Sequence, residues 1–277
     1  MIAGGTWHEG TGVTAGGKTH RTMPTWVVTG ASSGIGLELV KQLAARGEKV
    51  YATCRSLRSS MSGNDGISSV EGDVTVVEGI DVSLDNVGEA LAKSALAGVT
   101  IDVLMHNAGS LNGTRDVADG ALFEEQKFNS ISMDRMRAAF EVNTLGPLRV
   151  QQALDTQMRS PGGKVAIIST GLASIEENGS GGMYAYRTSK AGVNMVAKNL
   201  SCDLKERGIA VQAIAPGFVV SEFAGGTEAL TKMGGRPVDE ACGSLIAIVD
   251  AMSMENSGAF MTVVGQQKGG VSKALPW

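Results

Sequence analysis

Thr25-Trp-Val-Val-Thr-Gly-Ala-Ser-Ser-Gly-Ile-Gly36 is the stretch on which the reading of this chain turns. Thr25–Thr29 is a short apolar run with the character of a buried strand, and a helical pattern follows Gly36 at once. Glycines at 30, 34 and 36 permit a tight turn and a close approach of backbone to a ligand. The helix N-terminus then presents free N–H groups and a positive dipole end to an anion. Strand, glycine turn and helix together make a cradle for a pyrophosphate. The spacing is G-x-x-x-G-x-G rather than the commoner G-x-G-x-x-G. Gly30, Ser32, Ser33, Gly34, Ile35 and Gly36 are its candidate cofactor contacts, and a purely structural turn is the alternative.

Outward from this turn, apolar runs alternate with helical patterns. Strands are predicted at Thr25–Thr29, Lys49–Thr53, Thr75–Ile80, Val103–His106, Lys164–Ser169, Ile209–Ile214 and Ala259–Val263. Continuous Val/Ile-rich runs suit strands buried on both faces of a parallel sheet. Leu37, Val40, Leu43 and Ala44 repeat at helical spacing, as do Val193, Val196, Ala197, Leu200 and Leu204. The expected fold is α/β: one doubly wound domain over residues 23–277, with a parallel sheet of about seven strands flanked by helices. Residues 1–22, rich in Gly, Thr and His, read as a flexible leader, and Met23 as a plausible alternative start.

Bulk composition narrows the function classes. The chain has 277 residues, 43% of them hydrophobic, and a net charge of −4; its mean hydropathy is +0.05. That balance argues against a general nucleic-acid binder. No apolar run approaches the roughly 18 residues of a membrane span, and no secretory signal pattern opens the chain. Cys54, Cys202 and Cys242 are scattered, which suits reduced thiols in the cytoplasm. No Cys/His cluster has metal spacing, and His8, His20 and His106 form no evident triad.

The chemistry is expected at Tyr186 and Lys190, in Met183-Tyr-Ala-Tyr-Arg-Thr-Ser-Lys190. Positions i and i+4 share one helix face. A free phenol has a pKa of about 10 and is a poor acid or base near neutrality. A fixed cation would lower that value and make the phenol a proton donor or acceptor at a carbonyl or alcohol oxygen. An ordinary amphipathic helix with a surface lysine is the alternative. Tyr184 competes for the acid role, but its i+4 partner is Thr188.

The second predicted strand runs into Arg55-Ser56. An acidic residue there would hold the adenosine ribose 2′-OH and favour NAD(H). Arg55 instead offers a guanidinium suited to a 2′-phosphate, so NADP(H) is favoured over NAD(H), with a solvated surface arginine as the alternative.

Together these residues resemble the short-chain dehydrogenase/reductase family over residues 25–277. The resemblance rests on Thr29-Gly-x-x-x-Gly-x-Gly36, Asp81-Val82, Asn107-Ala-Gly109, Asn143, Ser169-Thr170, Tyr186-x-x-x-Lys190 and Pro216-Gly217. Gly181–Lys190 and the closing Pro276-Trp277 look most like the branch of sniffer-type carbonyl reductases and C-factor proteins. The resemblance implies a Rossmann-type fold and roles for individual residues. Asp81 and Val82 would contact adenine. Asn107, Ala108 and Gly109 would shape the cofactor groove. Asn143 would hold a water linking Lys190 to solvent. Tyr186 would be the general acid/base, and Lys190 would bond the nicotinamide ribose and lower the tyrosine pKa. Pro216, Gly217 and Val219 would border the nicotinamide. Purely structural roles stay open for three of these: Asp81 as a helix N-cap, Asn143 as a satisfied mid-helix amide, Pro216-Gly217 as a turn.

The chain also departs from the family pattern. A serine is usual where Thr170 stands. Adjacent strand residues point to opposite faces, so one of Ser169 and Thr170 faces the site; position favours Thr170, with Ser169 as the fallback. His106 replaces a usual asparagine and reads as a packing variant. Ser221 replaces a frequent threonine. The segments 110–130, 172–182 and 218–236 are expected to border the substrate. With the adjoining Met183, they carry Phe123, Phe128, Phe218, Phe223 and Met233, which line an apolar pocket or pack as core or lid.

The function these readings support is NADP(H)-dependent, reversible reduction of an aldehyde or ketone to an alcohol. Thr170 and Tyr186 would bind the carbonyl oxygen, with Asn143 and Lys190 as relay. One alternative is a dinucleotide-binding signalling or sensor protein of C-factor type with little turnover. Another is a structural α/β protein without cofactor. By resemblance, the helices through Asn143–Arg159 and Tyr186–Lys205 would pair subunits into a homodimer or homotetramer.

Overall fold

The computed structural model describes residues 23–57, 66–111, 124–221, 223, 227–263 and 272–277. The expected leader at 1–22, with His8 and His20, and the expected pocket residue Phe123 lie outside them.

Eight strands form one sheet in the order β3-β2-β1-β4-β5-β6-β7-β8. They are β1 (Thr25–Thr29), β2 (Lys49–Thr53), β3 (Val74–Val77), β4 (Val103–His106), β5 (Lys164–Ile168), β6 (Ala210–Ala215), β7 (Ala259–Val263) and β8 (Ser272–Ala274). Every pairing is parallel except β7 with β8. Strand order reverses at β1, which pairs with β2 on one side and β4 on the other. In open parallel sheets a crevice at the carboxyl ends of the strands opens at such a point.

Among the described residues seven helices flank the sheet: α1 (Gly34–Ala45), α2 (Val87–Ala92), α3 (Met133–Phe140), α4 (Gly146–Leu154), α5 (Tyr184–Asp203), α6 (Thr227–Lys232) and α7 (Val238–Asp250). A single π-helical turn, Glu141–Leu145, joins α3 to α4. Side chains alternate between the faces. Val27 and Leu104 join Val150, Val193 and Leu200 in one core; Trp26, Val28 and Met105 join Leu39, Leu43 and Leu245 in the other. Burial on both sides explains why β4, β5 and β6 carry no exposed residue.

The structure differs from the sequence reading at the edges of the sheet. β3 begins one residue earlier than expected and stops at Val77, before Gly79 turns the chain at φ +83. The antiparallel β8 was not expected. It is three residues long, with Ser272 and Lys273 among them, and its place depends on pairing with β7. Among the described residues, no helix is long and apolar enough to cross a membrane.

Candidate active site

Beyond β1 the chain turns through Gly30 at φ +66, where a Cβ would lie 2.7 Å from the Ala108 Cα. A Cβ on Gly36 would lie 2.4 Å from the Gly30 carbonyl oxygen and 2.5 Å from Asn107 Nδ2. Asn107 explains this crowding. Its Nδ2 donates to the carbonyls of Thr29 (3.0 Å) and Gly30 (3.2 Å), and the main-chain N–H groups of Asn107 and Ala108 both donate to Thr29 Oγ1. The end of β4 is thereby laced to the turn after β1.

The start of α1 suits an anion. Its N-cap, Ser33, makes no side-chain capping bond, and no acidic residue lies in the first turn. Gly34, at φ +54, places a would-be Cβ 3.6 Å from Ser221 Cβ, so the segment after β6 reaches this turn. An uncapped helix start behind a glycine turn fits a dinucleotide's pyrophosphate. Arg55 follows β2 with its side chain half exposed, and its Nη1 lies 3.9 Å from Asp81 Oδ2. The other oxygen of Asp81 accepts from the Ser83 N–H and hydroxyl. Asp81 therefore fixes its own turn and faces Arg55 as well. Val82 is buried, tight against Gly146 of α4.

The proposed reaction centre lies where β5 ends. Ser169 and Thr170 diverge as strand geometry requires. Ser169 Oγ is buried and donates to Asn194 Oδ1 at 2.6 Å. The Thr170 hydroxyl faces the Tyr186 hydroxyl, whose ionised form it favours, and accepts from the Leu172 N–H at 3.3 Å. Lys190, buried, donates from Nζ to the Ile168 carbonyl at 2.7 Å. A Cβ on Gly109 would lie 3.3 Å from Asn143 Oδ1 and 3.5 Å from Lys190 Nζ, so these three residues adjoin.

Tyr186 departs from what its spacing alone predicts. Spacing predicts a phenol held down by the neighbouring ammonium. In this structure burial pushes the Tyr186 hydroxyl up to about 12, and the Thr170 hydroxyl opposes that shift only in part. Burial also lowers Lys190 to about 8, with its ammonium anchored on the β5 carbonyl. Asn143, fully buried in the π-helical turn, donates through Nδ2 to the Ser110 carbonyl and Ser189 Oγ, and its Oδ1 accepts from the Ser110 N–H. Both amide hydrogens are engaged, which leaves a water only an oxygen acceptor of this residue.

Around the centre, Phe223 packs its ring 6.0 Å from that of Tyr186, and Phe128 lies 6.0 Å from Tyr184. Phe128, Phe218 and Met233 are exposed. Pro216-Gly217 leads into a bridge between Val219 and Arg236, with Gly217 at φ +83. His106 is buried at the end of β4, 3.5 Å from Gln151 Oε1.

Sequence reasoning missed Ser189, Asn194 and Gln126. Ser189 precedes Lys190 in the motif run; its Oγ accepts from Asn143 and donates to the Tyr186 carbonyl. Gln126 lies 60 residues from Tyr186 yet accepts its N–H. Only its place in the expected substrate-side segment pointed to it.

Comparison with known proteins agrees with this fold. The family model described as short chain dehydrogenase matches residues 24–230. The chain is 34% identical over 243 residues to 1-hydroxy-2-glutathionyl-2-methyl-3-butene dehydrogenase of Rhodococcus sp. (strain AD45), covering 86% of this chain and 96% of that protein. It is 30% identical over 183 residues to C-signal of Myxococcus xanthus, covering 64% of this chain and 93% of that one. A carbonyl reductase from Pseudomonas aeruginosa PAO1, solved in complex with NADP, superposes with a TM-score of 0.71 at 25% identity, over 92% of this chain and all of that one. The chain belongs to the short-chain dehydrogenase family.

Proposed function

We propose that this protein is an NADP(H)-dependent reductase of aldehydes or ketones, with Tyr186 as the proton donor. The facing hydroxyls of Thr170 and Tyr186, at the carboxyl end of β5, carry the reading. Two adjacent donors suit one carbonyl oxygen that becomes alkoxide-like as reduction proceeds. A phenol pushed up to about 12 keeps its proton through the neutral range and can deliver it to that oxygen. Lys190, with Asn143 nearby, would restore the proton.

The cofactor, when bound, supplies the hydride. Gly30, Ser32, Ser33, Gly34, Ile35 and Gly36 would hold its pyrophosphate, and Asp81 with Val82 its adenine. Arg55, half exposed and 3.9 Å from Asp81, would bind the 2′-phosphate that distinguishes NADP(H). The NADP-bound Pseudomonas reductase supports that preference. Asn107, Ala108, Gly109, Pro216, Gly217 and Val219 would complete the groove.

A second reading, a dinucleotide-binding signalling protein with little turnover, is favoured by the similarity to C-signal. A panel of aldehydes and ketones, assayed with NADPH and NADH side by side, separates the two. Turnover with NADPH supports the reductase; tight NADPH binding without turnover on any carbonyl supports the signalling protein.

Residues 23–277 would act as one unit, paired through the helical stretches Asn143–Arg159 and Tyr186–Lys205, on the second of which Met195 stands exposed. Sedimentation of the purified chain tests for the dimer or tetramer. The three free thiols suit a reducing, cytoplasmic setting.

A further inference from the structure

We propose that Gln126 is a positioning residue, which caps the helix of Tyr186 from outside and couples the substrate-side turn Glu124–Ser130 to the proton donor. The proposal rests on Tyr186 being that donor.

Helix α5 lacks a cap of its own. Gly181, Gly182 and Met183 approach it with φ of +62, +67 and +52. Met183 occupies the N-cap position in the left-handed region and makes no side-chain capping bond. The first N–H groups of a helix have no partner within it, and a buried donor without an acceptor is costly. Here Gln126 supplies two acceptors. Its main-chain oxygen accepts from the Tyr184 N–H at 3.3 Å, and its Oε1 accepts from the Tyr186 N–H at 3.0 Å.

Gln126 is fully buried, and its Nε2 is buried without a partner. An apolar side chain of similar length would avoid that orphaned donor. It would also leave the Tyr186 N–H without its acceptor. The amide is therefore there for its oxygen.

The turn that carries Gln126 is stiffened locally. The Ser130 and Ile131 N–H groups both donate to the Lys127 carbonyl, Lys127 pairs with Glu124, and Arg135 pairs with Glu125. Phe128, 76% exposed, leans on the Tyr184 ring. A ligand pressing on this turn would act directly on the first turn of α5. A misplacement of about 1 Å at a reacting group can lower a rate roughly 100-fold.

The test combines amide hydrogen exchange at residues 184–186, NADPH affinity and steady-state kinetics in Gln126→Leu and Gln126→Glu. In Gln126→Leu we expect faster exchange, a kcat reduced roughly 10-fold or more, and an NADPH Kd within about 2-fold of wild type. Gln126→Glu, which keeps the acceptor, should restore slow exchange and most of kcat. Unchanged exchange in Gln126→Leu overturns the clamp; faster exchange with unchanged kcat overturns the coupling. Should Gln126→Leu not fold, Gln126→Asn, one methylene too short to reach, takes its place under the same criteria. If the wild type reduces no carbonyl, the proposed activity fails, and the exchange measurement still decides the clamp.

Discussion

The Thr170 hydroxyl faces that of Tyr186, while Ser169, one residue earlier, turns into the fold to meet Asn194. The side-chain alternation of an extended strand end separates the two hydroxyls into a site-facing and a core-facing one. Thr170→Ala should therefore lower kcat for carbonyl reduction roughly 100-fold, the size of effect seen when an oxyanion donor is removed. Thr170→Ser should stay within a few-fold of wild type. Ser169→Ala should leave kcat nearly unchanged and cost about 1 kcal/mol in urea unfolding for its lost hydrogen bond. A rate collapse in Ser169→Ala would reverse the assignment.

Arg55 should set the choice of cofactor. Its guanidinium lies near Asp81 but beyond close hydrogen-bonding distance. Charge-assisted bonds to a phosphate are worth about 1.5–3 kcal/mol, so Arg55→Ala should raise the Kd for NADPH by about 10- to 100-fold while leaving that for NADH nearly unchanged. Fluorescence titration with both cofactors checks this; equal losses for the two would rule out 2′-phosphate recognition.

Gly36 should tolerate no side chain. The would-be Cβ at 2.4 Å from the Gly30 carbonyl and 2.5 Å from Asn107 Nδ2 forces apart the lacing of β1 to β4. Gly36→Ala should lower the melting temperature and abolish NADPH binding together. Gly88→Ala, in α2 with an ordinary 3.5 Å contact to Ala153, should instead be neutral or stabilising by up to about 1 kcal/mol.

His106 should make the fold acid-sensitive. Burial holds its imidazole neutral, at about 4, with the Gln151 hydrogen bond opposing only in part. The unfolded state then binds more protons wherever the pH lies between that value and the ordinary one near 6.5, so stability present above about 6.5 is lost as pH falls toward 4. The full effect is about 3 kcal/mol on the scale of roughly 1.4 kcal/mol per unit. His106→Asn should flatten the stability profile across that window in urea titrations at graded pH. An unchanged profile would show that other groups govern acid unfolding.

Much of this architecture is legible in the sequence because the signals are local. The β1 turn into α1 needs only its glycines and a strand beside them, and Tyr186 and Lys190 are one helix turn apart. What is illegible is what distance in sequence hides. Gln126 reaches Tyr186 across 60 residues, and Ser169 reaches Asn194 across 25. Strand β8 is too short and polar to carry a pattern of its own. Tyr186 also differs from what spacing predicts, because burial raises its hydroxyl and burial depends on the whole fold around the ring. Asn143 similarly shows its engaged amide only once Ser110 and Ser189 are brought to it.

The central claim is that Tyr186 delivers the proton. Its most direct test is Tyr186→Phe, which keeps the ring and its packing on Phe223 and removes the hydroxyl alone. NADPH should bind as in the wild type by fluorescence titration, while kcat for a reduced carbonyl falls by about 100-fold or more. Carbonyl reduction at the wild-type rate in that variant would contradict the account.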